Sequence, residues 1–401
     1  MMGMRPASIR RIGSFLILFL LSSIAIFLGY EVYVHADDRP VTYVATEYIR
    51  CIGLTGDKEI GNCLDELAQY SYDNYSIHDI GVQIDGLTYR QKNRWCHEVM
   101  HYLGWKAYQE EGSVAHAFMQ ALPLCDSGMY HGVMEEYLRQ NGMSGNVGEL
   151  IKSICVDSLA KNPDFSEGTK ALCYHGLGHG LMYVTASDLG KSLNFCDLLT
   201  DKAVGECYTG VFMEYKTSKA IGTLQNDRDL EDFSQCMDLS EHQKSFCFFT
   251  QGLNYLSLAN GDPAQAMRSC SAVPSEFRTS CYMGVGANTP SPSKSHADSG
   301  RACNATREVS LAAYGACIKG GLSFVAQLDR GDSAGSIAFC SVIDDDMKSY
   351  CFTEMGIALK DWMSAGVTTD EVCKDVPEAY RGACREGNTD AAEPFDRIKA
   401  L

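Results

Sequence analysis

The chain is short of several things, and each shortage excludes a class of protein. Basic charge is outweighed: 34 Lys and Arg stand against 51 Asp and Glu, a formal net of −17 over 401 residues. A nucleic-acid partner would need a basic face, so none is expected. Beyond the run Phe15 to Leu28 there is no second long apolar stretch, which excludes a multi-span membrane protein. Sustained alternation of apolar and polar residues is missing, which argues against sheet. No Cys-x-x-Cys pair, nucleotide-binding loop, nucleophile elbow or haem-attachment motif occurs.

What is present begins with an export segment. Arg10 and Arg11 precede the apolar run, which is broken only by Ser22 and Ser23. Lys and Arg on that flank hold the N-terminal end in the cytoplasm. Residues 1–36 read as a signal-anchor helix, with a cleaved signal peptide ending at Val34-His35-Ala36 as the alternative. Arg5, Arg10, Arg11 and Glu31 give this segment a net of +2, leaving −19 for the remainder. The expectation is an extracytoplasmic chain, membrane-anchored through its N-terminal helix or secreted.

Eighteen cysteines in an exported chain read as disulfides. Spacing fixes the pairing. Cys196–Cys207, Cys236–Cys247, Cys270–Cys281, Cys340–Cys351 and Cys373–Cys384 all enclose ten residues, and Cys51–Cys63 and Cys303–Cys317 are close variants. Cys155–Cys173 spans a longer gap, and Cys96 and Cys125 are left for each other.

The second cysteines from Cys173 to Cys384 recur every 33 to 40 residues, the period of two-helix repeats. That period resembles tetratricopeptide-type arrays, although their Trp/Leu/Gly/Tyr signature is absent. The expected fold is all-α: an array of disulfide-stapled antiparallel helix hairpins, solenoid or toroid-like, behind the N-terminal helix. In each unit a first helix ends near the first cysteine and a second begins at the second. Asp188 to Leu199, Asp229 to Leu239 and Asp262 to Val273 are first helices, opened by acidic residues suited to an N-terminus. A short strand is expected around Val41 to Ile49. The organisation expected is residues 1–36 as signal or anchor, 37–220 as histidine-rich repeats, and 221–401 as further stapled repeats with a polar tail.

Six of the ten histidines lie between Arg94 and Tyr183, five of them in ligand pairs. Three segments there each place two metal-ligating side chains four residues apart: His97/His101, His131/Glu135 and His175/His179. Residues i and i+4 share a helix face, one turn apart, which is how a helix offers two ligands to one ion. Aligned on their glycines, His131-Gly132 matches His175-Gly176. Neighbouring helices about 10 Å apart would then aim all six residues at one spot. A lone histidine of this kind more often caps or packs; three pairs in register favour a transition metal, with zinc, copper or iron all suited to imidazole. Glu214 falls at the position matching Glu136 in a later unit and reads as a surface acid, with a further ligand as the alternative.

His97-Glu98-Val99-Met100-His101 also satisfies H-E-x-x-H, with Gly104 three residues on. In that chemistry Glu98 is the general base that activates a metal-bound water. The third histidine of the long metzincin pattern would fall at Ala107, which excludes that family. The C-terminal units carry Gln251, Met283 and Lys319 where histidine stood, so that half reads as structural or as a surface for a protein partner. Two function classes stand: a metal-dependent enzyme, hydrolase or oxidase, and a non-enzymatic repeat scaffold for protein interaction or metal sequestration.

Overall fold

A computed structural model describes residues 40–85, 87, 94–122, 124–125, 127–141, 149–151, 154–156, 166–223, 232–290, 295–363 and 367–389. The expected signal or anchor helix lies outside the described residues. Among those described, the protein is helical throughout and has no strand.

The chain divides into two compact units, Met1–Leu87 and Thr88–Leu401. The first holds α1 (Pro40–Ile52), α2 (Asp57–Asn74) and α3 (Ile77–Asp85), with Cys51 bonded to Cys63. The strand expected at Val41 to Ile49 is thus a helix. Val44, Tyr48 and Cys51 are fully buried and recur every third or fourth residue, the spacing of one helix face. Proline also suits the first turn of a helix, where its missing N–H is not needed.

The second unit runs α4 (Arg94–Glu111), α5 (Val114–Gln120), α6 (Gly128–Asn141), α7 (Glu167–Val184), α8 (Leu189–Cys196), α9 (Asp201–Thr223), α10 (Ser234–Met237), α11 (Glu241–Leu258), α12 (Pro263–Ser269), α13 (Arg278–Ala287), α14 (His296–Ala305), α15 (Leu311–Leu328), α16 (Ser333–Ser341), α17 (Asp345–Lys360), α18 (Thr369–Cys373) and α19 (Glu378–Thr389). All nine disulfides are sequential, with Cα–Cα separations of 5.5 to 5.9 Å. From Cys196 onward each ties the end of a short helix to the following long one.

The long helices begin earlier than expected. α9 starts at Asp201, six residues ahead of Cys207, and α11 starts at Glu241, six ahead of Cys247. Capping chemistry sets the starts of α11 and α15. Ser240 and Gln243 form a reciprocal capping box on α11, and the Ser310 hydroxyl accepts from Ala313 N on α15. The expected acidic caps hold at Asp188 and Asp262, each accepting from backbone N–H groups of its helix. The start expected at Asp229 lies outside the described residues.

Successive long helices are packing neighbours: α4, α6, α7, α9, α11, α13, α15, α17 and α19 follow one another in that order. Glycine makes the closest of these contacts. A Cβ on Gly104 would strike the Met129 carbonyl, and one on Gly132 would strike the His101 carbonyl. Gly178/Gly210, Gly252/Gly284, Gly286/Gly320 and Gly356/Gly387 make the same reciprocal contact. Absent side chains let two helix backbones touch, which offsets glycine's poor helix propensity of about 1 kcal/mol. Gly104, Gly178 and Gly252 are each 74 residues apart, twice the hairpin period. This contact aligns His101 with His175 and His131 with Thr209. The expected match of His131 with His175 is therefore off by one helix.

Late segments also reach early ones. Gln327 Nε2 donates to Ser127 Oγ at 2.8 Å, and Arg330 donates to the Ala121 carbonyl at 2.6 Å. Gly168 N donates to the Asp361 carbonyl at 2.6 Å, and Lys202 pairs with the Asp361 carboxylate at 3.1 Å. Among the described residues the one helix long and apolar enough to cross a membrane is α15, and it is mostly buried in the protein.

Candidate metal centre

Four successive helices, α4, α6, α7 and α9, build the site. The tight glycine contacts at Gly104/Gly132 and Gly178/Gly210 bring their backbones close enough for short side chains to meet at the centre. His97, His101, His131 and His179 gather there, every one at most 7 % exposed. One ligand atom from each lies within 4.8 Å of the others.

The distances are those of ligands around one ion. His97 Nε2 lies 2.9 Å from His101 Nε2 and 3.3 Å from His131 Nδ1. The rings of His131 and His179 stack with centroids 3.6 Å apart. His175 is next to this group, its ring centroid 4.9 Å from that of His131 and 5.1 Å from that of His179. All five histidines singled out in the sequence thus form one contiguous cluster, but His175 belongs to neither set of converging ligand atoms.

The outer nitrogen of most rings is already engaged. His97 Nδ1–H donates to the Cys125 carbonyl at 2.8 Å, and the Cys96–Cys125 disulfide fixes that carbonyl beside it. His101 Nδ1 faces both oxygens of Glu135, at 3.0 and 3.1 Å. His179 Nδ1 faces Glu214 at 3.0 Å. Thr209 donates to the Glu206 carbonyl at 2.7 Å, so its oxygen accepts from His175 Nδ1–H at 2.8 Å. These partners fix ring tautomer and orientation, the second-shell pattern of metal sites, and leave Nε2 of His97 and of His101 facing each other. Nε2 of His131 and of His179 is buried with no hydrogen-bond partner.

Electrostatics follows from this burial. Burial, reinforced by neighbouring imidazoles, holds His97, His131, His175 and His179 well below the usual histidine range. Burial also works against charge on His101, but the charge and hydrogen bonds of Glu135 outweigh it and push the group up to about 9. Burial raises Glu214, with His101 opposing.

Glu135 therefore sits at the cluster as expected from its spacing, while Glu136 next to it is turned away and held by Arg139, Gln109 and Gln140. Glu214, read as a surface acid or a further ligand, is packed against His179. Glu98 is half-buried and belongs to neither group of converging ligand atoms. Sequence reasoning missed Trp105, whose Nε1 donates to Glu135 Oε2 at 2.8 Å, along with Thr209 and the Cys125 carbonyl. A signal for some of them was available. His97 to His131, His101 to Glu135 and His175 to Thr209 are each 34 residues apart, and His179 to Glu214 is 35. Each partner lies one repeat further on.

A second group of four overlaps the first: His101, Glu135, His179 and Glu214, again with one ligand atom from each within 4.8 Å of the rest. Cluster and carboxylates together offer buried nitrogen and oxygen donors. No family model matches this chain, and no curated protein and no solved structure matches it either.

Proposed function

We propose that this is an extracytoplasmic protein that holds a transition-metal ion in a closed imidazole site formed by His97, His101, His131 and His179. Glu135, Glu214 and the Cys125 carbonyl orient the rings. The observation that carries the reading is the face-to-face approach of His97 and His101. Each already directs Nδ1 to an acceptor, yet their Nε2 atoms are 2.9 Å apart. Two lone pairs at that distance need a proton or a cation between them. The partnerless Nε2 atoms of His131 and His179 add to this, since a buried polar atom left unpaired costs about 1–3 kcal/mol.

Four imidazoles complete a tetrahedral set, whereas hydrolytic zinc keeps three protein ligands and an open position. The closed set and its burial favour retention of the ion over hydrolysis. Glu98 is then a helix-face residue and not a general base. Zinc, copper and iron all suit imidazole, and copper heads the affinity order. The long helices are proposed to form one continuous stapled array in which the late segments close onto α6, α7 and α9. The basic-flanked run at Phe15 to Leu28 is proposed to anchor it to a membrane, and the C-terminal units to offer a face to a protein partner.

Metal analysis of the purified chain tests the reading. At least about one ion per chain should survive dialysis, and His131→Ala with His179→Ala should remove it. A wild-type chain that takes up no zinc, copper or iron after loading and dialysis would refute it.

A further inference from the structure

The geometry points to a second cation site that shares His101 and His179 with the first and is completed by Glu135 and Glu214. This rests on the metal-binding reading above and extends it from one ion to two.

Three observations carry it. The first is the overlap of the two groups of four: two histidines belong to both. An imidazole has two nitrogens facing opposite ways, and both shared rings use them so. His101 turns Nε2 to His97 at 2.9 Å and Nδ1 to Glu135 at 3.0 Å. His179 turns Nδ1 to Glu214 at 3.0 Å and keeps a buried, partnerless Nε2 on its other side. Ions on the two sides of such a ring would be roughly 6 Å apart, from metal–nitrogen bonds of about 2.0–2.1 Å plus the ring.

The second is that Glu135 and Glu214 come from helices that are not sequence neighbours, α6 and α9, yet bring oxygens within 4.8 Å of one another. Two carboxylates that close repel unless a proton or a cation lies between. The third is charge. Two divalent ions, two imidazolates and two carboxylates sum to zero, which suits a buried centre. Two nitrogens and two carboxylate oxygens fit a divalent first-row metal such as copper or zinc; calcium would call for six to eight oxygens.

Filling the second site is a proton exchange. The Nδ1–H bonds of His101 and His179 break, two metal–nitrogen bonds form, the carboxylates move from accepting those hydrogens to binding the ion, and two protons pass to the solvent. No electrons move.

The test uses the full chain, stripped with a chelator and titrated with Cu(II). Bound copper is counted by equilibrium dialysis, and each step is followed by electron paramagnetic resonance and by proton release at constant pH. The expected result is two ions per chain. The first equivalent should raise a signal, and the second should quench it by coupling through the bridging rings, with release of two protons. Glu135→Gln combined with Glu214→Gln should bind one ion and keep its signal. Glutamine still offers a carbonyl to each Nδ1–H, so the first site's rings stay oriented. One ion in the wild type overturns this inference and leaves the first site standing. No ion overturns the metal-binding reading itself. Two ions that remain magnetically independent, or two retained by the double variant, place the second ion elsewhere and also overturn it. If the double variant does not fold, the wild-type signal and proton count still decide.

Discussion

Replacing Gly132 by alanine adds one methyl group at the contact between α4 and α6. That methyl would lie 2.7 Å from the His101 carbonyl carbon and 2.8 Å from its Cα, with the carbonyl oxygen closer still. Carbon–carbon contact is comfortable from about 3.5 Å, so the two helices must separate by about 0.7 Å or more. The obstacle is backbone, and no rotamer change relieves it. Overpacking of this kind costs about 1–3 kcal/mol, and here the upper part of that range applies. Alanine returns about 1 kcal/mol through helix propensity, leaving a net loss of about 1–2 kcal/mol. The chemical effect should exceed the structural one. Metal–ligand distances are tolerated to about ±0.2 Å, so the same separation carries His131 out of reach of an ion held by His97 and His101. Affinity should fall by more than the 10–100-fold typical of disturbing an orienting partner. The assay pairs a non-reducing denaturant melt with a competition titration against a chelator of known affinity. Gly382→Ala is the control. It is exposed in α19 with nothing within 4 Å of the added methyl, and should stabilise by up to about 1 kcal/mol. If Gly132→Ala melts no earlier than wild type and keeps its metal, close backbone approach does not build the site.

Glu98→Gln should leave metal content unchanged; a loss of most bound metal would make Glu98 a ligand, against the all-imidazole set and against a general-base role alike. Replacing both Cys96 and Cys125 by alanine opens a loop of 29-residue separation, so stability should fall by about 3–4 kcal/mol. Metal affinity should drop with it, because the Cys125 carbonyl no longer orients His97; unchanged affinity in the folded variant would separate the disulfide from the site. His296 Nε2 meets Asp329 Oδ1 at 3.1 Å, and that hydrogen bond raises the histidine above its ordinary value of 6.5. The contribution is then fully present below about 6.5 and fades as pH rises through the raised value. His296→Asn should cost under about 1 kcal/mol at pH 5.5 and still less at pH 9, since the pair is partly exposed; an effect that grows with pH would reverse the assignment.

The fold class and the cystine pattern were legible because both are periodic. The second cysteines recur every 33 to 40 residues from Cys173, and the ten-residue gap shared by five of the nine pairs points to the pairing. The helix at Pro40 to Ile52 was misread because its apolar face, Val44, Tyr48 and Cys51, is brief. Long-helix starts were misplaced because serine caps, not cysteines, set them. At the site, i and i+4 spacing found every histidine of the cluster. It left Glu214 between surface acid and ligand and gave Thr209 no role, because these meet their partners across a helix–helix contact one period away. Nor could it separate Glu135 from Glu136. Only about 100° of helix rotation divides them, and that decides which reaches His101 and which pairs with Arg139.

The sequential cystines also bear on how the chain matures. Eighteen cysteines can be joined in about 3 × 10⁷ ways, and a chain oxidised at random would meet mostly wrong ones. Here every cysteine pairs with the next to appear, after a separation of 11 to 29 residues. A chain entering an oxidising compartment N-terminus first can therefore close each bond before the following pair emerges. No bond waits for a distant residue, and none must later be undone. A chain halted partway carries finished crosslinks and at most one unpaired thiol. Oxidation keeps pace with delivery, hairpin by hairpin.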